Sequence, residues 1–423
     1  MERINNKKQL EVSLPIAFEN LMGVLMTLID TVVISTIGVI ELGAIGAMGV
    51  ILSIMEMGIH AIHVSNNTLV AREIGKDDKS QIKLFAGNAI LMTVLFSIIT
   101  IVVTYFLSPV FPSLFNVDKI CITYLIIRLF GFVQGSLSHV IAGYQRTIGH
   151  HTNILTVRFI AVISNLFFDY IVVKLGYGIV GVAWVTVLID TIQLIYLSFK
   201  ARKNVNLKYN KDIFKEILSL VKWNYFERIV SKIDQFVFNI VVSRMGPLEY
   251  AVHVILIQIV NVYESFVSGF GEGISINVGI ASGDGKERNI HHVENVAKKI
   301  INKCSVIFPV IIFFISIIVM KISMKEMELQ IIFYEVLPVI LLGCYITTSA
   351  TYYLAVIRWF RDFKFLAVRN TISSSLKIVL SIILAYTPLG ILGVWISHLL
   401  YSISQRILSK QRYISIYRNE EKI

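Results

Sequence analysis

Polar and apolar positions along the 423 residues segregate into long blocks. Apolar stretches fall at about 13–37, 43–71, 84–108, 119–143, 154–174, 179–199, 214–244, 249–282, 293–320, 329–356, 365–386 and 389–409. A bilayer core about 30 Å thick needs about 20 mostly apolar residues per helix. Each block therefore predicts one crossing, and the chain reads as an all-α integral membrane protein of twelve transmembrane helices. The connections are short and leave no length for a soluble domain.

Composition moves the picture the same way: 55% of residues are hydrophobic, 16% are charged and mean hydropathy is +0.72. A net charge of +11 would suit nucleic acid if the basic residues formed a patch. They sit instead in short clusters on alternate connections, such as Arg72, Lys76, Lys79 and Lys83, then Lys200, Arg202, Lys203, Lys208 and Lys211. The intervening connections carry few basic residues. By the positive-inside rule both termini are cytoplasmic, the plasma membrane is the expected location, and no nucleic-acid partner is expected. Residues 201–213, the longest basic connection, divide an N-terminal six-helix lobe, 1–200, from a C-terminal one, 214–423. Cys121, Cys304 and Cys344 are widely spaced inside apolar blocks, which fits packing and neither a disulfide framework nor a zinc site. The basic start, Met1 to Leu10, precedes an apolar stretch that is too long and lacks a small-residue cleavage site, so the first helix is expected to stay attached.

The two halves resemble each other. A shift of 208 positions pairs Glu19 with Glu227, Ser35 with Ser243, Gly38 with Gly246, Glu41 with Glu249, Glu56 with Glu264 and Gly75 with Gly283. A shift of 212 pairs Arg146 with Arg358 and aligns residues 178–182 with 390–394. An even number of spans per half makes the repeats parallel, related by an axis along the membrane normal, with a central cavity expected between them.

Charged groups inside a span cost about 2.5–3.5 kcal/mol even on the lenient insertion scale, so each is expected to face a cavity or a partner. Asp30 lies in the first span. Asn165 and Asp169, four apart, share one face of the fifth, and Thr186 lies in the sixth. At about 1.5 Å per residue, Asp30, Asp169 and Thr186 reach a similar depth in the outer half of the first lobe, a set of oxygens suited to a small hard cation or a shared proton. The repeat places Phe238, Lys377, Ser381 and His398 opposite Asp30, Asn165, Asp169 and Thr186, so the second lobe lacks both acids. Its own charges are Glu227 and Asp234 on one face of the seventh span, Glu264 and Glu272 in the eighth, and Lys377. These carboxylates either draw an organic cation or pair internally with Arg228, Lys232 or Lys377. A second stripe, Glu56, His60, His63 and Asn67, runs along one face of the second span. Histidine titrates near neutral pH, which makes Glu56, His60 and His63 a candidate proton path, with an adventitious metal site or a wet cytoplasmic vestibule as alternatives. Nucleotide-binding, nucleophile-elbow and zinc-protease motifs are absent from the sequence.

Pro15-Ile-Ala-Phe-Glu-Asn20, then Ile29-Asp-Thr-Val32 and Gly38, resembles the opening of a half of the multidrug and toxic compound extrusion (MATE) family. Arg72-Glu-Ile-Gly75 and Gly143-Tyr-Gln-Arg-Thr-Ile-Gly149 are similar to that family's loops after helices two and four. Asn165-x-x-x-Asp169 and the stretch from Gly178 to Thr186 complete a likeness over nearly the whole chain.

The resemblance implies a secondary antiporter that exports organic cations or drugs in exchange for Na+ or H+ by alternating access. It assigns Asp30, Asn165, Asp169 and Thr186 to the cation site and Glu227 to the helix-seven carboxylate of some members. The expected protein is not an enzyme, has no cofactor beyond the coupling ion, binds no metal other than a sodium ion at Asp30 and Asp169, and works as a monomer in the bilayer. A flippase for a lipid-linked sugar is the nearest alternative, with Lys377, Arg228 and Lys232 as its phosphate-binding groups. A membrane-embedded acyl transferase using His139 or His398, and a passive channel, are more distant ones.

Overall fold

The structure, a computed structural model, describes residues 5–35, 37–115, 117–283, 287–323 and 326–420. Side chains are described there except at 27–32, 34–35, 39–40, 42, 287–290, 323 and 417–420. The described chain is helical almost throughout: α1 (Asn6–Ser35), α2 (Val39–Gly75), α3 (Lys79–Leu107), the short α4 (Phe111–Phe115), α5 (Ile120–Gln145), α6 (His151–Lys174), α7 (Gly178–Ala201), α8 (Lys211–Ser243), α9 (Pro247–Gly283), α10 (Glu287–Ser323), α11 (Met327–Trp359), α12 (Phe363–Ala385) and α13 (Gly390–Glu420). Eight segments among the described residues are long and apolar enough to cross a membrane, one of them the continuous run Ile120–Lys174. That run holds two helices, α5 and α6, which meet at a kink within the π-helical turn Arg146–His150, where Gly149 is non-helical. Among the described residues α1, α8 and α13 are not in the eight, and α8 carries Glu227, Arg228, Lys232 and Asp234 within two turns.

The outward faces of the helices are apolar, while polar side chains are buried among the apolar ones inside. On α3 the buried positions include Asn88, Thr93 and Ser97, whereas Leu95, Ile98, Ile99, Val102 and Phe106 are exposed. The Thr93 hydroxyl donates to the carbonyl of Ala89 at 2.8 Å, so burial leaves it satisfied. Apolar surface of this extent is stable against hydrocarbon and not against water.

Two compact units make up the chain. The N-terminal unit is Phe18–Lys222 with Ser282–Gly285, and the C-terminal unit is Met1–Ala17, Trp223–Ala281 and Lys286–Ile423. In the first, α5 packs on α2, α3 and α7, and α6 packs on α7. In the second, α13 packs on α11 and α12 around a core that includes Phe238, Phe333 and Trp395. All three cysteines are buried, Cys344 in that core and Cys304 in the neighbouring one around Phe270.

The basic connection is pinned rather than loose. Asn206 N–H donates to the Lys83 carbonyl at 3.0 Å, and Asn88 donates to the Lys208 carbonyl at 3.2 Å while accepting from Asn210 N–H at 2.9 Å. Asn210 in turn caps α8 by accepting from Asp212 N–H and Ile213 N–H. Gly87 permits this docking, because a Cβ there would lie 1.8 Å from the Asn206 carbonyl oxygen. Gly87→Ala is expected to destabilise the protein by about 1–3 kcal/mol through overpacking against backbone, despite alanine's better helix propensity, and thermal unfolding in detergent measures the loss.

Residues paired by the internal repeat share backbone geometry. Gly178 and Gly390 have φ of 55° and 51°, and Gly149 and Arg361, also 212 apart, have φ of 101° and 58°. A Cβ at Gly38 or Gly246 would meet the carboxylate of Glu41 or Glu249 at 2.3 or 2.4 Å.

Candidate functional site

In the N-terminal unit the first candidate group lies on α6 and α7. Asn165 and Asp169 are both 0% exposed, whereas Phe167 and Tyr170 between and beside them are 58% and 54% exposed. The spacing of four puts the polar pair on the protein-facing side of a helix whose other side carries aromatic residues. The Asn165 amide has no hydrogen-bond partner among the described residues, which is unusual for a buried amide. Thr186 is buried on α7, and its hydroxyl donates back to the Val182 carbonyl at 3.1 Å, leaving its lone pairs available. The side chain of Asp30 lies outside the described residues.

The α2 stripe divides. Glu56 is exposed, His60 half-buried, and His63 and Asn67 buried. His63 meets His139 of α5 at 4.8 Å between ring centroids, and His60 meets His63 at 5.6 Å and His139 at 5.9 Å. Asn67 Nδ2 lies 2.8 Å and Arg146 Nη2 2.6 Å from His63 Nε2. The other arm of Arg146 reaches Glu19 of α1 at 2.7 Å. In the sequence Arg146 and Glu19 stand out only as repeat positions, because nothing in their spacing announces that they pair.

A further intramembrane charge, Asp190 of α7, lies in the field of Arg128 of α5 and Arg158 of α6. Its position inside the block 179–199 was the available signal, and Arg158 donates to Gln193 one turn further on at 3.4 Å.

In the C-terminal unit α8 and α12 are laced by ion pairs. Lys377 donates to Asp234 at 3.0 Å and its ammonium lies 4.1 Å from the Phe238 ring centroid, while Arg369 reaches Glu227 at 3.5 Å. Asn370 ties the same helices, donating to the Glu227 carbonyl and the Ser231 hydroxyl, both at 2.9 Å, and accepting from Tyr401 at 3.1 Å and Gln405 at 2.9 Å. Asn370→Ala is expected to cost about 2–3 kcal/mol, since it strands several polar groups at once, and the shift in thermal unfolding measures it. Glu264 is exposed and within electrostatic reach of Lys377 and Asp234, and Glu272 lies in the field of Arg228. Lys377 thus has the partner that sequence named as one option, and Glu227, which lies in the field of Arg228, is also reached by Arg369 of α12. Among the described residues, groups of His, Cys, Asp and Glu that could hold a metal ion do not occur.

A polytopic helical protein that exposes apolar faces and keeps acids, amides and ion pairs inside has the construction of a membrane transporter. The MatE family model matches the chain twice, over residues 15–171 and 225–383, and the chain belongs to that family of membrane transporters. Its fold is that of solved MATE transporters. An outward-facing multidrug resistance MATE transporter of the MOP superfamily superimposes with a TM-score of 0.90 at 18% identity, covering 98% of each chain. A MATE protein in complex with MaL6 gives 0.88 at 19% identity and 98% of each chain. A MOP superfamily transporter from Pyrococcus furiosus Vc1, described as having a binding pocket of reverse polarity that suggests a different function, gives 0.88 at 18% identity over 98% of this chain and 97% of that one. No curated protein matches the chain in sequence. The chain is accordingly a multi-pass membrane protein with the fold of multidrug efflux transporters.

Proposed function

We propose that this protein is a secondary active antiporter that exports an organic cation in exchange for Na+ or H+ by alternating access. The observation that carries the reading is the wholly buried Asn165 and Asp169 pair on the inward face of α6, with Thr186 buried on its packed neighbour α7. Acids on the protein-facing side of a membrane helix mark ion and proton pathways. Asp30 joins these residues as the second acid of the coupling site, which takes a sodium ion or a shared proton. Glu264, exposed and in none of the described ion pairs, is the C-terminal group best placed to meet a cationic substrate, with Glu227, Asp234, Glu272 and Lys377 shaping the charge around it. In this reading twelve helices cross the plasma membrane as two parallel-repeat lobes, both termini are cytoplasmic, and the working unit is a monomer.

The lipid-linked-sugar flippase needs surplus basic groups for a phosphate. Engagement of Lys377 by Asp234 and of Arg369 by Glu227 favours the cation exporter instead. Proteoliposomes loaded with a fluorescent organic cation test the choice, with a sodium gradient and a pH gradient imposed separately. One gradient should drive transport in wild type and not in Asp30→Asn. Transport indifferent to both gradients would move the assignment to the flippase.

A further inference from the structure

The polar knot joining α1, α2, α5 and the π-helical turn lies outside the Asn165, Asp169 and Thr186 group, and its geometry constrains one proton. His63 is 1% exposed. Its Nε2 is approached by Arg146 Nη2 at 2.6 Å. A guanidinium has donors only, so this contact exists only while His63 Nε2 keeps its lone pair and the ring is neutral. Arg146, itself 1% exposed, is held on its other side by Glu19, 3% exposed, at 2.7 Å. Asn67 adds a second approach to the same ring nitrogen at 2.8 Å.

The backbone is shaped for this contact. A Cβ on Gly143 would lie 1.9 Å from His63 Cδ2 and 2.1 Å from Nε2, so only glycine lets the imidazole lie across α5 one turn before Arg146. Arg146 opens the π turn, and the helix breaks within it at Gly149, where φ is 101°. Such turns have a loosened hydrogen-bond ladder and are where helices bend. Arg146 therefore fastens the α5–α6 elbow to α2 and α1.

We propose that His63 is a proton-binding site and that a proton on its Nε2 releases Arg146 from α2, unfastening the α5–α6 elbow. The proton takes the lone pair that accepts from Arg146, one N–H bond forms, the Arg146 hydrogen bond is lost, and two cations are left face to face. The charged and titratable groups around that site come from four elements. From α2 itself come His60 and the exposed Glu56, from α5 His139, from the π turn Arg146 and the exposed His150, and from α1 Glu19, which Arg146 already engages. On the remaining side α3 carries no titratable side chain between Lys83 and Tyr105. The latch is thus closed at high pH and opens as pH falls. The site gives the antiporter read above an ion-responsive element apart from Asp169.

Hydrogen exchange of the full-length protein in lipid nanodiscs tests the proposal without any transport, so its failure and that of the antiport reading are separate results. Rates for peptides spanning 140–152, corrected for intrinsic pH dependence, are followed from about pH 8.5 to 5.5, across the histidine range. In wild type the opening of the elbow should rise by up to about tenfold per pH unit once one proton is linked to it. In His63→Gln, whose side-chain oxygen accepts from Arg146 without titrating, it should stay flat. The 15N shift of His63 Nε2 in wild type should move from unprotonated to protonated over the same interval. A flat wild-type profile, an unchanged pH dependence in His63→Gln, or an Nε2 already protonated at the alkaline end would overturn the latch.

Discussion

Asp169→Asn is expected to lower ion-driven export of an organic cation by about 100-fold or more while the protein still folds. Asn165 and Asp169 are completely enclosed on α6, so a cation held there is out of reach of water and depends on the carboxylate for its charge. Removing one partner of such a buried charge contact costs about 2–5 kcal/mol, and each 1.4 kcal/mol is tenfold in affinity. The amide keeps the shape of the acid, so packing against α7 is retained. Flux in proteoliposomes under the driving gradient gives the first quantity, and the elution profile and thermal unfolding of the purified variant give the second. Wild-type flux in Asp169→Asn would remove α6 from the coupling site.

The largest effect on stability is expected at Arg146. Arg146→Met leaves Glu19 as an enclosed carboxylate with its cation gone and deprives His63 of its donor. Breaking a buried pair from one side costs about 3–5 kcal/mol, whereas replacing both partners with groups of similar shape is close to neutral. Arg146→Met should therefore be strongly destabilised in thermal unfolding, and the Glu19→Gln, Arg146→Met double variant should recover most of the loss. Equal stability of the single and double variants would mean that the pair at 2.7 Å carries little energy.

Much of this architecture is legible in the sequence because the membrane imposes a coarse rule. Each apolar block falls on one long helix, and the i, i+4 pair Asn165 and Asp169 declares its face without a structure. Pairing between distant helices is less legible. Asp234 with Lys377 is a contact that charge inside spans suggests, whereas nothing in the spacing announces the reach of Arg369 to Glu227, 142 positions away. Neighbouring positions on a helix point in different directions, about 100° apart, so sequence proximity is a poor guide to pairing. The same limit hid the link from His63 to Arg146 and Glu19, 83 residues apart in the first case. Gly143 was visible only as part of a loop-like motif, and its role is the space it leaves for an imidazole. In the sequence the basic connection shows only as a run of cations between the halves, whereas the amides of Asn88, Asn206 and Asn210 dock it onto α3.

Coupling between ion and substrate is reciprocal in binding free energy, which allows the central claim to be tested in reverse. Vesicles reconstituted with the protein and given an inward gradient of an organic cation, with no ion gradient at the start, should build up an opposing flow of sodium ions or protons. That flow should be absent in Asp169→Asn and in protein-free vesicles. Movement of the organic cation with no accompanying ion flow in wild type would contradict antiport and leave the enclosed acid of α6 without the role assigned to it.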